Sequence, residues 1–105
     1  MKKNKWRLPT IDELRNAFDY ERGKPKAEGF TLDYYWSYTT HTYYAEAVWI
    51  VYFDDGYTDY GYRSSTYYAR CVRDTGEDYL ELSESSKIEM TWDKACEYCE
   101  RMNNE

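Results

Sequence analysis

The stretch Ala47-Val48-Trp49-Ile50-Val51-Tyr52-Phe53 is apolar at every position, so a strand built from it is hydrophobic on both sides. Side chains alternate across a strand, and a strand with two apolar faces has to be covered twice. This places residues 47–53 at the centre of a sheet inside a layered core. With 105 residues there is room for one such core in a single domain. Leu, Ile and Val are few while aromatic residues make up 20% of the chain, so that core has to rest on Trp, Tyr and Phe.

The elements around this strand follow from local signals. Thr10-Ile11-Asp12-Glu13 is a capping box, in which Thr10 accepts from the backbone three residues on and Glu13 reaches back. Ile11, Leu14 and Ala17/Phe18 continue at helical spacing, which predicts a helix over 11–20, stopped by Arg22-Gly23-Lys24-Pro25-Lys26. From Tyr34 the texture is that of strands: 34–39, 47–53, 57–62 and 67–73. Asp54-Asp55-Gly56 and Arg63-Ser64-Ser65-Thr66 read as hairpin turns, so the last three strands are expected to form a meander. Asp74 to Asp78 is a further turn into a short strand at 79–82 that can pair back on 67–73. Thr91 then caps a second helix, on which Trp92, Ala95, Cys96, Cys99 and Met102 make one apolar stripe. The fold class expected is α+β, two helices packed on a twisted antiparallel sheet.

Charge narrows the partners. The net charge is −6; residues 1–73 hold 11 basic and 10 acidic side chains, residues 74–105 hold 3 and 10. Acidity of this kind argues against direct nucleic-acid binding and suits a basic protein partner. No run approaches the roughly 20 apolar residues of a membrane span, and Met1-Lys2-Lys3-Asn4-Lys5 leads into Trp6-Arg7 without an apolar leader segment. Three cysteines leave at least one thiol unpaired in a monomer, which points to a reducing, cytoplasmic setting. Cys96-x-x-Cys99 is a single CxxC. With Cys71 and the one histidine, His41, it would complete a zinc set, but no second CxxC or HxxxH supports it, so neither a metal nor a cofactor is expected. No nucleophile-base pair is visible in the sequence, and no catalytic residue is assigned.

Trp6-Arg7-Leu8-Pro9-Thr10-x-x-Glu13-Leu14, Tyr35-Trp36-Ser37-x-Thr39, Ala47-x-Trp49-x-Val51-x-Phe53-x-Asp55-Gly56 and Tyr68-x-Arg70-Cys71-Val72-Arg73 form an ordered set. The set resembles the Lcl C-terminal domain family, the C-terminal domain of bacterial collagen-like adhesins. The resemblance implies a C-type-lectin-like fold, shared distantly with formylglycine-generating enzymes and phage tropism determinants, and a non-enzymatic binding role. It also implies an order of parts that this chain departs from. In the family a segment similar to Met90-Thr91-Trp92-Asp93-x-Ala95-x-x-Tyr98-Cys99 precedes the Trp-Arg-Leu-Pro-Thr segment by a loop of about ten residues; here it comes last. Joining the ends would leave 11 residues between Cys99 and Trp6, close to the family's loop. The expectation is a circularly permuted domain in which residues 79–105 supply the strand and helix that normally come first, with Met1 beside Glu105. A closed monomer is favoured; the alternative is a swapped dimer. Cys71 and Cys99 match positions where lectin-like domains often carry a disulfide, although the cytoplasmic setting favours two small buried thiols. Trp6, Arg7 and Pro9 read as scaffold. The motifs of calcium-dependent sugar-binding lectins are missing, since Trp49 is followed by Ile50-Val51.

Tyrosine density is the remaining signal: 11 of the 14 tyrosines lie between Tyr34 and Tyr68. Tyrosine offers large, rigid contact area at low entropic cost, so Tyr38, His41, Tyr43 and Tyr44 in one loop and Tyr57, Tyr60 and Tyr62 on the adjacent hairpin are the candidate ligand-binding residues, for a protein or glycan surface. The plainer reading is that these tyrosines cover a sheet and pair across strands. A second function class rests on the acidic tail, where Glu77, Asp78, Glu81 and Glu84 would let a small phage or mobile-element inhibitor, comparable to anti-CRISPR proteins, occupy a basic nucleic-acid channel.

Overall fold

A computed structural model describes residues 4–104. The order of elements is α1 (Ile11–Asn16), β1 (Phe18–Asp19), β2 (Lys24–Pro25), β3 (Tyr34–Thr40), β4 (Ala47–Tyr52), β5 (Tyr57–Tyr62), β6 (Arg70–Asp74), β7 (Leu80–Ser85) and α2 (Trp92–Met102). The class is α+β, as expected, but the strands form three small antiparallel sheets in place of one: β1-β2, β3-β4-β5 and β6-β7.

The apolar run takes the central place in the largest sheet. Along β4 and just past it, Ala47, Val48, Ile50, Val51 and Phe53 are buried. Its two faces feed two cores. Val48 and Ile50 pack with Leu8, Trp36, Ala69, Cys71, Ala95 and Cys99, while Val51 and Phe53 pack with Leu14, Phe18 and Tyr35. At roughly 1.5–3 kcal/mol for each fully buried large side chain, these clusters are where most of the stability resides. The apolar stripe of α2 covers the first core, with Ala95 and Cys99 buried and Trp92, Cys96 and Met102 packed at its margin.

Three expectations are corrected. The meander is β3-β4-β5, so 67–73 is not its third strand. After the 63–66 turn the chain leaves β5 and runs beside β3, where Trp36 N–H donates to the Tyr68 carbonyl (3.0 Å) and Tyr68 N–H to the Tyr34 carbonyl (3.0 Å). Ala69 and Cys71 thereby reach the core under α2, an apolar demand stronger than turn chemistry. Residues 70–74 do pair with the following strand, as foreseen, with Arg73 opposite Glu81. The first helix ends at Asn16 and not near 20, because Phe18 and Asp19 ladder with Pro25 and Lys24 and Lys26 N–H bonds the Ala17 carbonyl (2.8 Å); burying Phe18 requires that reversal.

The cysteines provide the third. Cys71 and Cys99 are joined in a disulfide, with Cα atoms 5.7 Å apart, where two reduced thiols had been favoured. The pairing depends on α2 lying across β6, which spacing alone does not reveal. Cys96 is free.

The capping box forms as read: Glu13 N–H donates to Thr10 Oγ1 (3.2 Å) and Thr10 N–H to Glu13 Oε1 (2.9 Å). Thr91 occupies the N-cap of α2, though its side chain makes no capping bond. The two ends of the described chain meet. Trp6 N–H donates to Asn103 Oδ1 (2.7 Å) and Asn103 Nδ2 donates to the Trp6 carbonyl (3.1 Å). The proximity expected of Met1 and Glu105 lies outside the described residues. No helix of the described chain is long and apolar enough to cross a membrane.

Candidate functional site

The face of the β3-β4-β5 sheet that carries Val51 and Phe53 is roofed by Leu14 and Phe18 at one end. Toward the other end of β4 the same face carries Trp49, half-buried, and the β4–β5 register sets Tyr60 opposite Trp49 and Tyr62 opposite Ala47. The loop between β3 and β4 folds over this end. Its base is closed by His41 N–H donating to the Ala47 carbonyl and Ala47 N–H to the Tyr44 carbonyl (both 2.9 Å).

That loop lays the His41 ring flat on Trp49, with centroids 4.7 Å apart and planes 24° from parallel. Tyr44 and Tyr60 approach His41 at 4.9 and 5.0 Å and stack on each other at 5.7 Å. Tyr43 lies 6.2 Å from His41, and Tyr62 meets Tyr60 edge-on at 6.3 Å. His41 Nδ1 accepts from Tyr43 N–H (3.1 Å), so the neutral ring carries its proton on Nε2. The assembly is outward-facing: Tyr43 is 86% exposed, Tyr62 53%, Tyr44 52% and Tyr60 37%. A rigid layer of ring faces and edges held open to solvent can stack on sugar rings or on apolar and aromatic side chains.

Five of the seven candidate residues, His41, Tyr43, Tyr44, Tyr60 and Tyr62, therefore come together. Two do not. Tyr38 stacks instead on Trp92 (5.8 Å), over which the Arg63 guanidinium also lies at 4.6 Å. Tyr57 sits on the opposite face of β5, across from Tyr52, whose ring meets Tyr34 at 4.6 Å. Trp49 is the participant that sequence reading assigned wholly to the core. The signal lay in the hairpin, because alignment about Asp54-Asp55-Gly56 puts Trp49 and Tyr60 in register.

The acidic candidates occupy the β6–β7 hairpin and do not make one patch of free charge. Glu81 is paired with Arg73 (2.8 Å), and Arg73 lies 4.4 Å over Trp6. Glu77 and Asp78 are exposed at the turn and Glu84 on β7. Among the described residues no group of three or more His, Cys, Asp or Glu is placed to hold a metal ion. Burial pushes the Cys96 thiol up to about 11, which leaves little thiolate for nucleophilic chemistry near neutral pH.

The Lcl C-terminal domain, as a family model, matches residues 1–73. No curated protein and no solved structure matches the chain.

Proposed function

The chain belongs to the Lcl C-terminal domain family, a non-catalytic, adhesin-associated binding domain, and from that premise we propose that it binds a protein or glycan surface through the exposed His41-Tyr44-Trp49-Tyr60 cluster with Tyr43 and Tyr62 at its rim. The observation that carries the reading is the stack of His41 on Trp49 under Tyr44 and Tyr60, presented where the sheet face has no helix over it. Rings locked by packing lose little entropy on contact, which is what gives aromatic anchors their weight in interfaces. Tyr38 and Tyr57 fall outside this surface and are not assigned to it.

The proposed architecture is a C-type-lectin-like domain in circularly permuted order. Support comes from the family match ending at Arg73 while β7 and α2, beyond it, pack on the matched part, and from the Trp6–Asn103 contact between the ends. Because α2 reaches the core of its own chain, a closed monomer is the simplest assembly. The Cys71–Cys99 disulfide weighs for an oxidising compartment over the cytoplasmic one suggested by the odd cysteine count.

Tyr60→Ala and Tyr44→Ala are expected to weaken partner capture by about tenfold or more while leaving thermal unfolding nearly unchanged, measured on glycan arrays and by pull-down from the surfaces the domain meets. Unchanged capture would remove the cluster from the interface. The acidic-inhibitor reading has less support, since Glu81 is engaged by Arg73. It predicts a steep fall of affinity with salt and loss on Glu77, Asp78 or Glu84 substitution, whereas the aromatic surface predicts salt-tolerant binding.

A further inference from the structure

We propose that the cleft between α1 and the β6–β7 hairpin is a second binding site, for a small carboxylic acid with an apolar body. The cleft has a volume of about 440 Å3, within the range of roughly 300–1,000 Å3 of small-molecule sites. Its walls are Leu14, Ala17, Phe30, Val72, Leu80 and Leu82. It lies apart from the aromatic cluster and shares none of its residues.

Arg70 supplies the polarity. Its guanidinium lies 4.4 Å over the Phe30 ring; Nε donates to the Ser83 carbonyl (2.6 Å) and Nη1 to the Glu28 carbonyl (2.8 Å). Both acceptors are neutral. Among the described residues no carboxylate lies within ion-pair distance of Arg70, and burial lowers its pKa. A guanidinium has five N–H donors, so the fork keeps donors for a guest after these two bonds. A half-buried cation with no carboxylate in contact, only the more distant charge of Glu84 acting on it, favours, beside apolar walls, an anion that brings its own apolar surface. The other charges at the cleft agree with that choice. Glu13 is neutralised by Arg7 (2.7 Å), and the rest of the lining holds one further cation, Lys26, and one further carboxylate, Asp78, so Arg70 tips the balance toward an anion. The apolar walls disfavour a polyanion, which needs several cations where this cleft has only Arg70 and Lys26.

Hexanoate, 4-phenylbutyrate and uncharged hexanamide distinguish the possibilities in an NMR titration of the whole, disulfide-bonded chain. The two acids are expected to shift the amide resonances of Leu14, Ala17, Leu80 and Leu82, and hexanoate to bind at least about tenfold more tightly than hexanamide, as a charge-assisted hydrogen-bonded pair would give. Leu82→Trp, which fills the cleft and leaves Arg70 in place, should abolish binding, and Arg70→Gln should reduce hexanoate to the level of the amide. Should Arg70→Gln fail to fold, Leu82→Trp and the acid–amide comparison decide. No shifts with either acid, equal affinity for acid and amide, or acid binding that survives Leu82→Trp would overturn the proposal. Tyr60→Ala is expected to leave hexanoate binding unchanged, so this site and the aromatic surface stand or fall separately.

Discussion

Arg7 ties three parts of the chain with one side chain. Its Nη1 and Nη2 grip both oxygens of Glu13 (2.7 and 3.0 Å), Nη1 also reaches the Leu8 carbonyl (3.3 Å), and Nη2 lies 3.7 Å from Asp74. Glu13 is at the same time the returning half of the capping box, so a single carboxylate holds the α1 N-terminus to the preceding strand-like segment. The Arg7 hydrogen bond keeps the Glu13 carboxyl below its ordinary value. Its stabilising contribution is therefore complete above the unfolded value of about 4.3 and is lost as pH falls through the lower folded value. Glu13→Gln is expected to cost about 1 kcal/mol at neutral pH, a figure already discounted for the solvent around a partly exposed pair. In urea unfolding the gap between wild type and variant should close toward pH 3 or so; parallel stabilities at both pH values would show that the ion pair contributes nothing. This pairing was only half legible in the sequence. The capping box is a spacing of three and can be read directly, whereas Arg7 reads only as scaffold, because no periodicity links it to Glu13 or to the distant Asp74.

At the scale of elements, the Cys71–Cys99 bond fixes α2 to β6 and closes a loop of sequence separation 28. A loop of that size is worth about 3–4 kcal/mol in the chain-entropy account. Cys71→Ser with Cys99→Ser should lower the stability by that order in denaturant unfolding, while Cys96 remains the single thiol detectable once the native protein is unfolded without reductant. Finding three titratable thiols would mean that the bond does not form. The helix itself was readable, since its stripe has a period that only a helix satisfies and Ala95 and Cys99 are indeed its buried members. The central strand was readable for a similar reason, its two apolar faces. What escaped was the third strand of the meander, which is β3 and not 67–73. Residues 67–73 carry the same aromatic texture as a third meander strand, and nothing local records that Tyr67 would place its ring against Gly61, where an added Cβ would lie 2.5 Å from it, and pair its backbone with Met90. The aromatic cluster was legible in composition and loop position. Its membership was decided by strand parity: Tyr60 and Tyr62 share Trp49's face and Tyr57 does not.

For the whole molecule, the decisive relation is between the two ends. Trp6 and Asn103 exchange two hydrogen bonds, and Leu8 and Cys99 share a core, so the segment that opens the family match and the helix that lies outside it are one packed unit. The β6–β7 turn, by contrast, holds little: Thr75 Oγ1 donates to the Tyr79 carbonyl (2.9 Å) and accepts from Glu77 N–H (3.1 Å), and the ladder on either side is kept by pairs such as Arg73–Glu81. If the chain is a lectin-like domain in permuted order, its sequence should tolerate being returned to the usual order. Joining Glu105 directly to Met1 and opening the chain between Gly76 and Glu77 puts β7 and α2 first and leaves 11 residues between Cys99 and Trp6. Few contacts are lost at the new ends, and the new loop crosses a distance the structure already nearly closes at Trp6 and Asn103. The rearranged chain should therefore fold as a monomer, form the same disulfide and melt within about 10 °C of the original, a shift equivalent to roughly 1–2 kcal/mol for a domain of this size. A chain that stays unfolded, or that folds only as a dimer exchanging α2, would show that the present order is required by the fold, and with it the permuted reading would fail.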